Sequence, residues 1–573
     1  MKTKFKSLVT SHWSLVTIII LAAVLRVWQL GSIPPGLTPD EASLGYNAYS
    51  ILKTGRDEYG QLLPVIFKSF GDYKPGLYVY TAVPFVAFLG LNEWSVRLPS
   101  AIGGVLSVYL IYLVVNELFG YGLRVAPSQK IGHWSLVIGH FAAFAAAINP
   151  WLIYFSRGAW EANLSLTLTL AGIYYFLKSL YDSRFLVLAS IFFSSTLLTY
   201  QGAKLSTTIV VLILLLVFWK EVRNLIKNSY LTVIWSTVVG LVITLPIVFS
   251  LFYGQTGRLA VFSVFSYPRP TEYLQEFLNQ GGEKIGDLNY YLFHSEKLNF
   301  TRGILGRWFN HFSGSFLFFE GDYQNPRHSA PNSGMMLLMD LVLLPLGIIF
   351  LVRSNILNPK SKILIITWLI LSPLPAVLSR DQVQSVRALN MSIPLVLLSG
   401  LGLYYLLLIV NKLKFRLPCY MLLITCYFVS FAYFLDSYFV HLPVHNAKYW
   451  QYGFKEVVQK VTPIQNSYSK IIFQQSYAQP YIYFLFHQKY DPRKYQANTS
   501  FKSGGSDVGL VQSLDTIAFE SFSWPPPVDS RKTLIVGDPV AIPPDYPKSD
   551  FNLISEVKYP DGVSSAFRIL ETK

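Results

Sequence analysis

The stretch "GLTPDEASLGYNAYSILKTG", residues 36–55, follows the first long apolar segment of the chain. Its opening is typical of a helix start: Thr38 can cap the helix, Pro39 suits its first position and Glu41 completes a capping box. This structural role accounts well for Glu41 but does not require Asp40. Because neighbouring residues on a helix point about 100° apart, Asp40 can face a site while Glu41 serves the helix.

The composition predicts a polytopic membrane protein. The chain has 573 residues, of which 52% are hydrophobic and 14% charged, and its mean hydropathy is +0.38. A soluble domain usually carries about 25% charged residues. The net charge of +15 is explained by Lys and Arg in short cytoplasmic loops and near anionic lipid head groups. Nucleic acid is not expected as a partner, since the sequence shows no basic, aromatic-lined soluble module.

Eleven apolar segments are predicted to cross the membrane, although several are shorter than the roughly 20 residues that a helical crossing needs. They are residues 14–30, 96–118, 135–149, 162–180, 184–199, 205–219, 230–252, 335–352, 361–378, 389–411 and 418–435. One more apolar segment, residues 76–91, is short and contains Pro84. We expect this segment to lie on the outer side as a re-entrant or interfacial helix.

The distribution of Lys and Arg predicts the orientation, because cytoplasmic loops are enriched in these residues. The basic N-terminus, with Lys2, Lys4 and Lys6, should be cytoplasmic. The same holds for five later clusters: Arg124 with Lys130; Arg184; Lys220 with Arg223 and Lys227; Arg353 with Lys360 and Lys362; and Lys412 with Lys414 and Arg416. These clusters alternate correctly if the chain crosses the plasma membrane eleven times, from a cytoplasmic N-terminus to an outer C-terminus.

The chain changes character after the last predicted span. Residues 1–435 are predicted to form the membrane module, and residues 436–573 carry a soluble pattern. In this tail, "YWQYGFKEVVQKV" and "QPYIYFLFHQKY" are helical in pattern, whereas "KIIFQQSY", "DTIAFESF", "KTLIVGD" and "SAFRILET" are typical of strands. The alternation of helices and strands predicts a small extracytoplasmic α/β domain.

A lysine shares the outer loop with the acidic pair. Lys74 lies in "FGDYKPGLYVY", residues 70–80 of the predicted outer loop 31–95. A carboxylate and a lysine on one loop suit a reaction in which a nucleophile loses a proton and an anionic group leaves. The alternative for Lys74 is a structural one, in which its apolar stem lies in the membrane interface and its amine reaches water.

Five further residues of the outer loops are candidates with open alternatives. Glu161, together with Arg157 and His328, is a candidate for holding a metal or the acceptor. Glu161 could instead form an ion pair with Arg157, four residues earlier on one helix, and His328 could be an ordinary loop hydrogen-bonder. Arg387 and Arg380 are either phosphate ligands or anchors for lipid head groups.

The order of these motifs resembles a known group of enzymes. The acidic pair Asp40–Glu41 is followed by a "KPGLY" segment and by "NEWSVRLPSAIGG", residues 92–104. "SRGAWEANL", residues 156–164, and "RALNMSIPLVLLSGLGL", residues 387–403, follow in turn. Together they resemble the membrane glycosyltransferases of the GT-C superfamily, especially the protein O-mannosyltransferases and the aminoarabinose and related lipid-directed transferases.

The resemblance implies a fold, a reaction and roles for individual residues. The fold would be the α-helical polytopic GT-C fold, and the donor a sugar on a polyprenyl phosphate. The acidic pair Asp40 and Glu41 would be catalytic, with Asp40 as the general base, and Lys74 would contact the donor phosphate. Asp40 and Glu161 would be the candidates for a divalent cation, Mg²⁺ or Mn²⁺. The acceptor would be a protein, a lipid or a glycan of the cell envelope, and the sugar would be transferred with inversion.

The main alternative is a transporter or a flippase for lipid or polysaccharide. Such proteins often contain inverted repeats and carry charged residues in the middle of their spans. This chain shows no evident repeat, and its charged residues gather in the predicted outer loops. These features favour the enzyme over the transporter.

Overall fold

The structure is a computed structural model that describes residues 12–125, 133–253, 263–475, 479–498, 501–503, 509–527 and 532–573. Lys2, Lys4, Lys6 and Lys130, which contributed to the predicted orientation, lie outside the described residues.

The predicted membrane module folds largely into helices. Their bounds are α1 His12–Val27, α2 Pro39–Thr54, α3 Leu77–Leu89, α4 Glu93–Val125, α5 His133–Ile148, α6 Pro150–Ser156, α7 Glu161–Ser179, α8 Phe185–Leu197, α9 Ala203–Val217, α10 Trp219–Asn228, α11 Tyr230–Phe252, α12 Thr271–Gly281, α13 Glu296–Asn310, α14 Asp340–Arg353, α15 Pro359–Leu371, α16 Leu374–Val377, α17 Ser392–Val410 and α18 Arg416–Asp436. Each of the eleven predicted spans overlaps one of the longer helices.

Some of these helices satisfy the requirements of a membrane span by length and composition alone. Within the described residues, five do so: α4, α11, α15 continued by α16, α17, and α18. Two bent pairs, α5 with α6 at 57° and α9 with α10 at 82°, raise the number to seven if each pair is one span. The protein therefore has several candidate spans, and the predicted number of eleven stays a prediction.

Glycines allow close approach of helices in the membrane module. A Cβ atom on Gly347 of α14 would collide with the carbonyl of Leu398 on α17, and one on Gly402 of α17 would collide with the carbonyl of Leu343. Small residues at such crossings let two backbones pack directly, which favours helix association inside a bilayer.

The predicted outer loop 31–95 is a folded unit. After α2, strands β1 (Ile66–Ser69) and β2 (Asp72–Pro75) pair as an antiparallel hairpin, and α3 follows. With 13 residues, α3 is about 20 Å long, shorter than the roughly 30 Å of a bilayer core. At its start, the Leu77 amide donates to the Leu198 carbonyl at 2.9 Å. Beyond its end, Glu93 pairs with Lys455 of the tail at 2.7 Å.

The tail forms a mixed sheet with helices, and its predicted elements all occur. The bounds are α19 Leu442–His445, α20 Phe454–Val461, β3 Lys470–Gln474, α21 Tyr481–His487, α22 Pro492–Asn498, β4 Phe501–Ser503, β5 Gly509–Val511, β6 Ser513–Leu514, β7 Ile517–Glu520, β8 Thr533–Gly537, β9 Phe551–Lys558 and β10 Ser565–Thr572. Six strands have the order β6-β7-β3-β8-β10-β9, in which β3 is parallel to both β7 and β8.

The tail packs directly on the outer loop. The Tyr483 hydroxyl of α21 donates to the Leu37 carbonyl at 3.0 Å, and the Tyr46 hydroxyl of α2 donates to the Tyr490 carbonyl at 3.2 Å. Buried apolar side chains of α2, α3, α20, α21 and the sheet belong to one continuous core. The tail therefore holds the helix that carries the acidic pair.

Candidate active site

The first turn of α2 has the capping box that the sequence predicts. The Glu41 amide donates to the Thr38 hydroxyl at 3.1 Å, and the Thr38 amide donates to Glu41 Oε2 at 3.0 Å. Pro39 occupies the first helical position, where the absence of an amide hydrogen costs nothing. Glu41 is therefore directed back toward the helix start.

Glu41 also has tertiary partners that the sequence did not reveal. Its side chain is buried, and Arg97 of α4 donates to it from Nε at 3.0 Å and from Nη2 at 3.3 Å. The Ala159 amide adds a further hydrogen bond of 2.8 Å. Arg97 in turn donates to the carbonyls of Leu30 and Pro34, both at 3.0 Å. Glu41 thus joins three segments of the protein and has a structural role, while its predicted catalytic role stays a prediction.

Asp40 points away from this buried cluster, into a small cleft. It forms an ion pair with Lys74, whose position on β2 faces Phe67 across the hairpin. The Asp40 side chain is 44% exposed, whereas that of Lys74 is only 8% exposed. Polar and apolar side chains complete the cleft: Ser43, Leu44, Asn47, Phe67, Ser69, Pro75 and Val79. An accessible carboxylate beside a largely buried cation is an arrangement that suits proton transfer next to an anionic leaving group.

A second carboxylate, Glu58, lies buried behind the cleft and was not predicted. Its Oε1 accepts hydrogen bonds from Asn47 Nδ2 at 2.9 Å and from the Ser43 hydroxyl at 3.4 Å. Both donors also line the cleft of Asp40 and Lys74. Burial raises the pKa of Glu58 to about 7, against the lowering effect of these hydrogen bonds and of the Lys74 charge. In the sequence, Glu58 stands in a polar turn that looks like an ordinary surface loop.

Glu58 leads to a prediction about stability and pH. Its pKa rises from 4.5 to about 7 on folding, so its contribution to stability is complete below pH 4.5 and is lost as the pH rises through about 7. The loss amounts to about 3 kcal/mol. Glu58→Gln should remove this dependence. As the pH rises from 5 to 8, the melting temperature of the variant should therefore rise relative to that of the wild type.

Glu93 supplies the control, because its pKa shifts the other way. Burial acts to raise the pKa of Glu93, but the hydrogen bond and charge of Lys455 outweigh it and lower the pKa. As the pH rises through the acidic range in which Glu93 ionises, the melting temperature of Glu93→Gln should therefore fall relative to that of the wild type. Equal pH dependence of melting in Glu58→Gln and the wild type would contradict the burial of an ionisable Glu58.

Arg157 and Glu161 do not share a helix, so the alternative of an ion pair between neighbours on one helix face does not hold. Arg157 follows the end of α6, the chain turns, and Glu161 begins α7. The Arg157 guanidinium donates to the carbonyls of Leu25 at 2.8 Å and Trp28 at 2.6 Å, and it lies 4.8 Å from the ring centre of Phe439. Because Arg157 is fully buried in these contacts, it is not accessible to a metal or an acceptor.

The predicted metal site finds no support in the arrangement of side chains. Within the described ranges, no three His, Cys, Asp or Glu side chains come together as ligands for one ion. Asp40 is engaged by the ammonium group of Lys74. The role of Asp40 and Glu161 in binding Mg²⁺ or Mn²⁺ stays a prediction.

His328 belongs to a second polar cluster, in the loops that the sequence predicts to be outside. Its Nδ1 lies 3.4 Å from Oδ2 of Asp322, a fully buried carboxylate that was not predicted. The Ser385 amide and hydroxyl donate to Asp322 at 2.8 and 2.7 Å, and Asn325 donates at 2.8 Å. Burial acts to raise the pKa of Asp322, but His328 and these donors lower it below its usual value. Burial lowers the pKa of His328, which Asp322 partly offsets.

The two candidate phosphate-binding arginines lie in the loop that leads to this second cluster. Arg387 Nη1 is 3.3 Å from Asp381 Oδ2. Arg380 donates to the Tyr267 hydroxyl at 3.1 Å. Ser385, between them in the chain, contacts Asp322 as described above. Arg387 lies close enough to His328 to help lower the pKa of that imidazole, whereas Arg380 contacts Tyr267 and Asp381. The role of both arginines in binding a phosphate stays a prediction.

An aromatic layer connects the two clusters. Trp160 lies 5.4 Å from His328 and 6.1 Å from Trp450, measured between ring centres. The guanidinium of Arg97, the partner of Glu41, lies 5.8 Å from the Trp450 ring centre. The clusters around Asp40 and His328 therefore belong to one continuous region of the protein, built from the loops that the sequence predicts to be outside.

The resemblance seen in the sequence, to the GT-C membrane glycosyltransferases, is confirmed at the level of the fold alone. The chain is similar to the crystal structure of ArnT from Cupriavidus metallidurans bound to undecaprenyl phosphate, with a TM-score of 0.51, 12% identity and 97% of each chain covered.

A second similar structure is the archaeal oligosaccharyltransferase AglB from Archaeoglobus fulgidus, in complex with an inhibitory peptide and a dolichol-phosphate. The TM-score is 0.49 and the identity 12%, with 83% of the present chain covered. The chain spans 63% of the length of this oligosaccharyltransferase. Comparison of the sequence with protein-family models and with curated proteins finds no match.

Proposed function

We propose that this protein is an integral membrane glycosyltransferase that moves a sugar from a polyprenyl phosphate to an acceptor on the outer face of the membrane. The observation that carries the proposal is the ion pair of the accessible Asp40 with the largely buried Lys74, in a chain with the GT-C fold. The acceptor is a protein, a lipid or a glycan of the cell envelope.

In the proposed reaction, the Asp40 carboxylate takes the proton from the acceptor as the acceptor bonds to the anomeric carbon of the sugar. The bond between this carbon and the phosphate oxygen breaks, and its electron pair leaves with the polyprenyl phosphate. Lys74 stabilises the charge of the leaving phosphate. Its ammonium group has three donors, so it can contact the phosphate while it stays close to Asp40. Attack opposite to the leaving group inverts the anomeric carbon.

The proposed topology has eleven crossings, a cytoplasmic N-terminus and the tail outside. Contacts between loops support it. Lys360 forms an ion pair with Glu221, and the Ser361 hydroxyl donates to the Leu118 carbonyl at 2.8 Å, so three predicted cytoplasmic segments meet. On the outer side, Trp151 Nε1 donates to the Ser385 carbonyl at 3.2 Å. Both ends of α3 contact outer elements, which favours its placement without a crossing.

Polyprenyl phosphates without a named sugar are present in the similar structures. The ArnT structure contains undecaprenyl phosphate, and the AglB structure contains a dolichol-phosphate and a peptide. For this chain we propose a polyprenyl phosphate carrier for the same chemical reason, since Lys74 offers a cation to a phosphate. The alternative of a transporter or flippase is favoured by no observation in the described residues.

The direct test is transfer of radiolabelled sugar from a series of polyprenyl-phosphate hexoses and pentoses by the purified protein. Membrane lipids, envelope glycans and secreted proteins would serve as separate acceptors. We expect labelled product with at least one donor and acceptor pair, together with release of polyprenyl phosphate. Movement of the intact labelled lipid across proteoliposomes, without transfer to any acceptor, would instead support the flippase.

Lys74→Ala should weaken donor binding by removing a charge-assisted hydrogen bond worth about 1.5–3 kcal/mol, which corresponds to about 10–150-fold in Kd. The measurement is binding of the polyprenyl-phosphate sugar to the purified variant. Lys68→Ala is the matched control, since it removes another lysine of the same hairpin, one that lies 5.0 Å from the Tyr59 ring centre instead of beside Asp40. Equal donor affinity in both variants would place the phosphate elsewhere.

A further inference from the structure

A cavity of about 480 Å³ lies at the end of the helix bundle opposite to the candidate active site. Helices α7, α8, α9, α10 and α11 surround it, and most of its lining side chains are apolar. Several of its few hydroxyl groups are already used: Ser179, Ser190 and Thr237 donate to backbone carbonyls at 2.6–2.9 Å. A space with so few available polar partners suits an apolar occupant better than water.

Helix α10 closes one side of this cavity. It turns 82° away from α9, which is the geometry of a helix that leaves a bilayer and lies along its surface. Four apolar side chains of α10 line the cavity: Trp219, Val222, Leu225 and Ile226. A helix with one apolar and one basic face is typical of binding at a membrane surface.

The basic face of α10 is exposed. Lys220, Arg223 and Lys227 follow one another at intervals of three and four residues, so they lie on one side of the helix. All three are solvent-exposed, and within the described residues none has an ion pair or a side-chain hydrogen bond. Glu221 pairs with Lys360, which attaches α10 to α15 and leaves the three cations available.

We propose that this site binds an anionic phospholipid of the cytoplasmic leaflet, with an acyl chain in the cavity and the phosphate on Lys220, Arg223 and Lys227. Charge complementarity decides the occupant, because α10 presents three exposed cations on one face and lines the apolar cavity with another. This combination matches an anionic head group joined to a hydrocarbon chain. The leaflet follows from the proposed topology, whereas the site itself does not depend on sugar transfer.

The test is native mass spectrometry of the purified full-length protein with phosphatidylglycerol and phosphatidylcholine of identical acyl chains. We expect the wild type to prefer phosphatidylglycerol at least tenfold. The triple variant Lys220→Gln/Arg223→Gln/Lys227→Gln should lose this preference. The matched control Lys412→Gln/Lys414→Gln/Arg416→Gln removes the same charge from another exposed loop, which is also predicted to be cytoplasmic. This control should keep the preference for phosphatidylglycerol.

A second variant tests the cavity without altering the charge. Thr237 is exposed at the edge of the cavity, so Thr237→Phe can place a ring in the space with little effect on folding. It should reduce phosphatidylglycerol binding at least tenfold while α10 keeps all its cations. Equal binding of the two lipids by the wild type, unchanged preference in the triple variant, or unchanged phosphatidylglycerol binding in Thr237→Phe would overturn the proposal. Because the readout is bound lipid, failure here is distinguishable from failure of the proposed transferase activity.

Discussion

Asp40→Asn is expected to lower the rate of sugar transfer by about 10²–10⁴-fold, the usual contribution of a general base. Asparagine keeps the shape of the side chain but cannot accept a proton from the acceptor. Since Asp40 is 44% exposed and lies outside the buried hydrogen bonds of the capping box, the variant should still fold and should lose much less stability than one that breaks the fully buried pair of Glu41 with Arg97. Donor binding should change little, because Lys74 remains in place.

The measurement compares transfer rate, donor affinity and thermal melting of Asp40→Asn with those of the wild type. Glu93→Gln is a suitable control, since it removes a carboxylate of the same outer unit whose partner is Lys455. This control should transfer sugar at close to the wild-type rate. If Asp40→Asn does the same, Asp40 is not the base, and the acidic pair is only the start of a helix.

The features of the fold that could be predicted from the sequence depend on short continuous stretches. Long apolar segments predicted the helices, because backbone groups inside a bilayer must satisfy their hydrogen bonds within the segment. The Thr-Pro-Asp-Glu start predicted the capping box, because both of its hydrogen bonds join Thr38 and Glu41, only three positions apart. The proximity of Lys74 to Asp40 was predicted only as a shared loop, and the hairpin of β1 and β2 provides the actual contact.

The features that the sequence did not predict depend on contacts between distant segments. Arg97 lies within the segment NEWSVRLPSAIGG, but no local pattern identifies its partner Glu41, which lies 56 residues earlier. Asp322 and Glu58 look like loop residues, and only folding buries them. One alternative placed Arg157 on one helix with Glu161, but the chain turns between them. Such roles are set by burial and tertiary hydrogen bonds, which a local pattern does not contain.

Glu41→Gln should destabilise the protein by about 3–5 kcal/mol, the usual cost of removing one partner from a buried ion pair. From the capping box alone, glutamine would be a good substitute, because its side chain can also accept the Thr38 amide hydrogen. The structure changes this expectation. With glutamine, the guanidinium of Arg97 stays fully buried but loses its countercharge, and the amide group of glutamine brings donors toward a site that contains mainly donors.

Thermal melting and the yield of monodisperse protein would measure this loss, with Asp40→Asn as the matched variant, since each change removes one negative charge from adjacent residues. We expect the two variants to separate: Asp40→Asn folds and is inactive, whereas Glu41→Gln melts at a clearly lower temperature. The protein that remains folded in Glu41→Gln should still transfer sugar, because the cleft of Asp40 and Lys74 does not include Glu41. A Glu41→Gln variant that melts like the wild type but transfers no sugar would reverse the two roles and make Glu41 the reacting carboxylate.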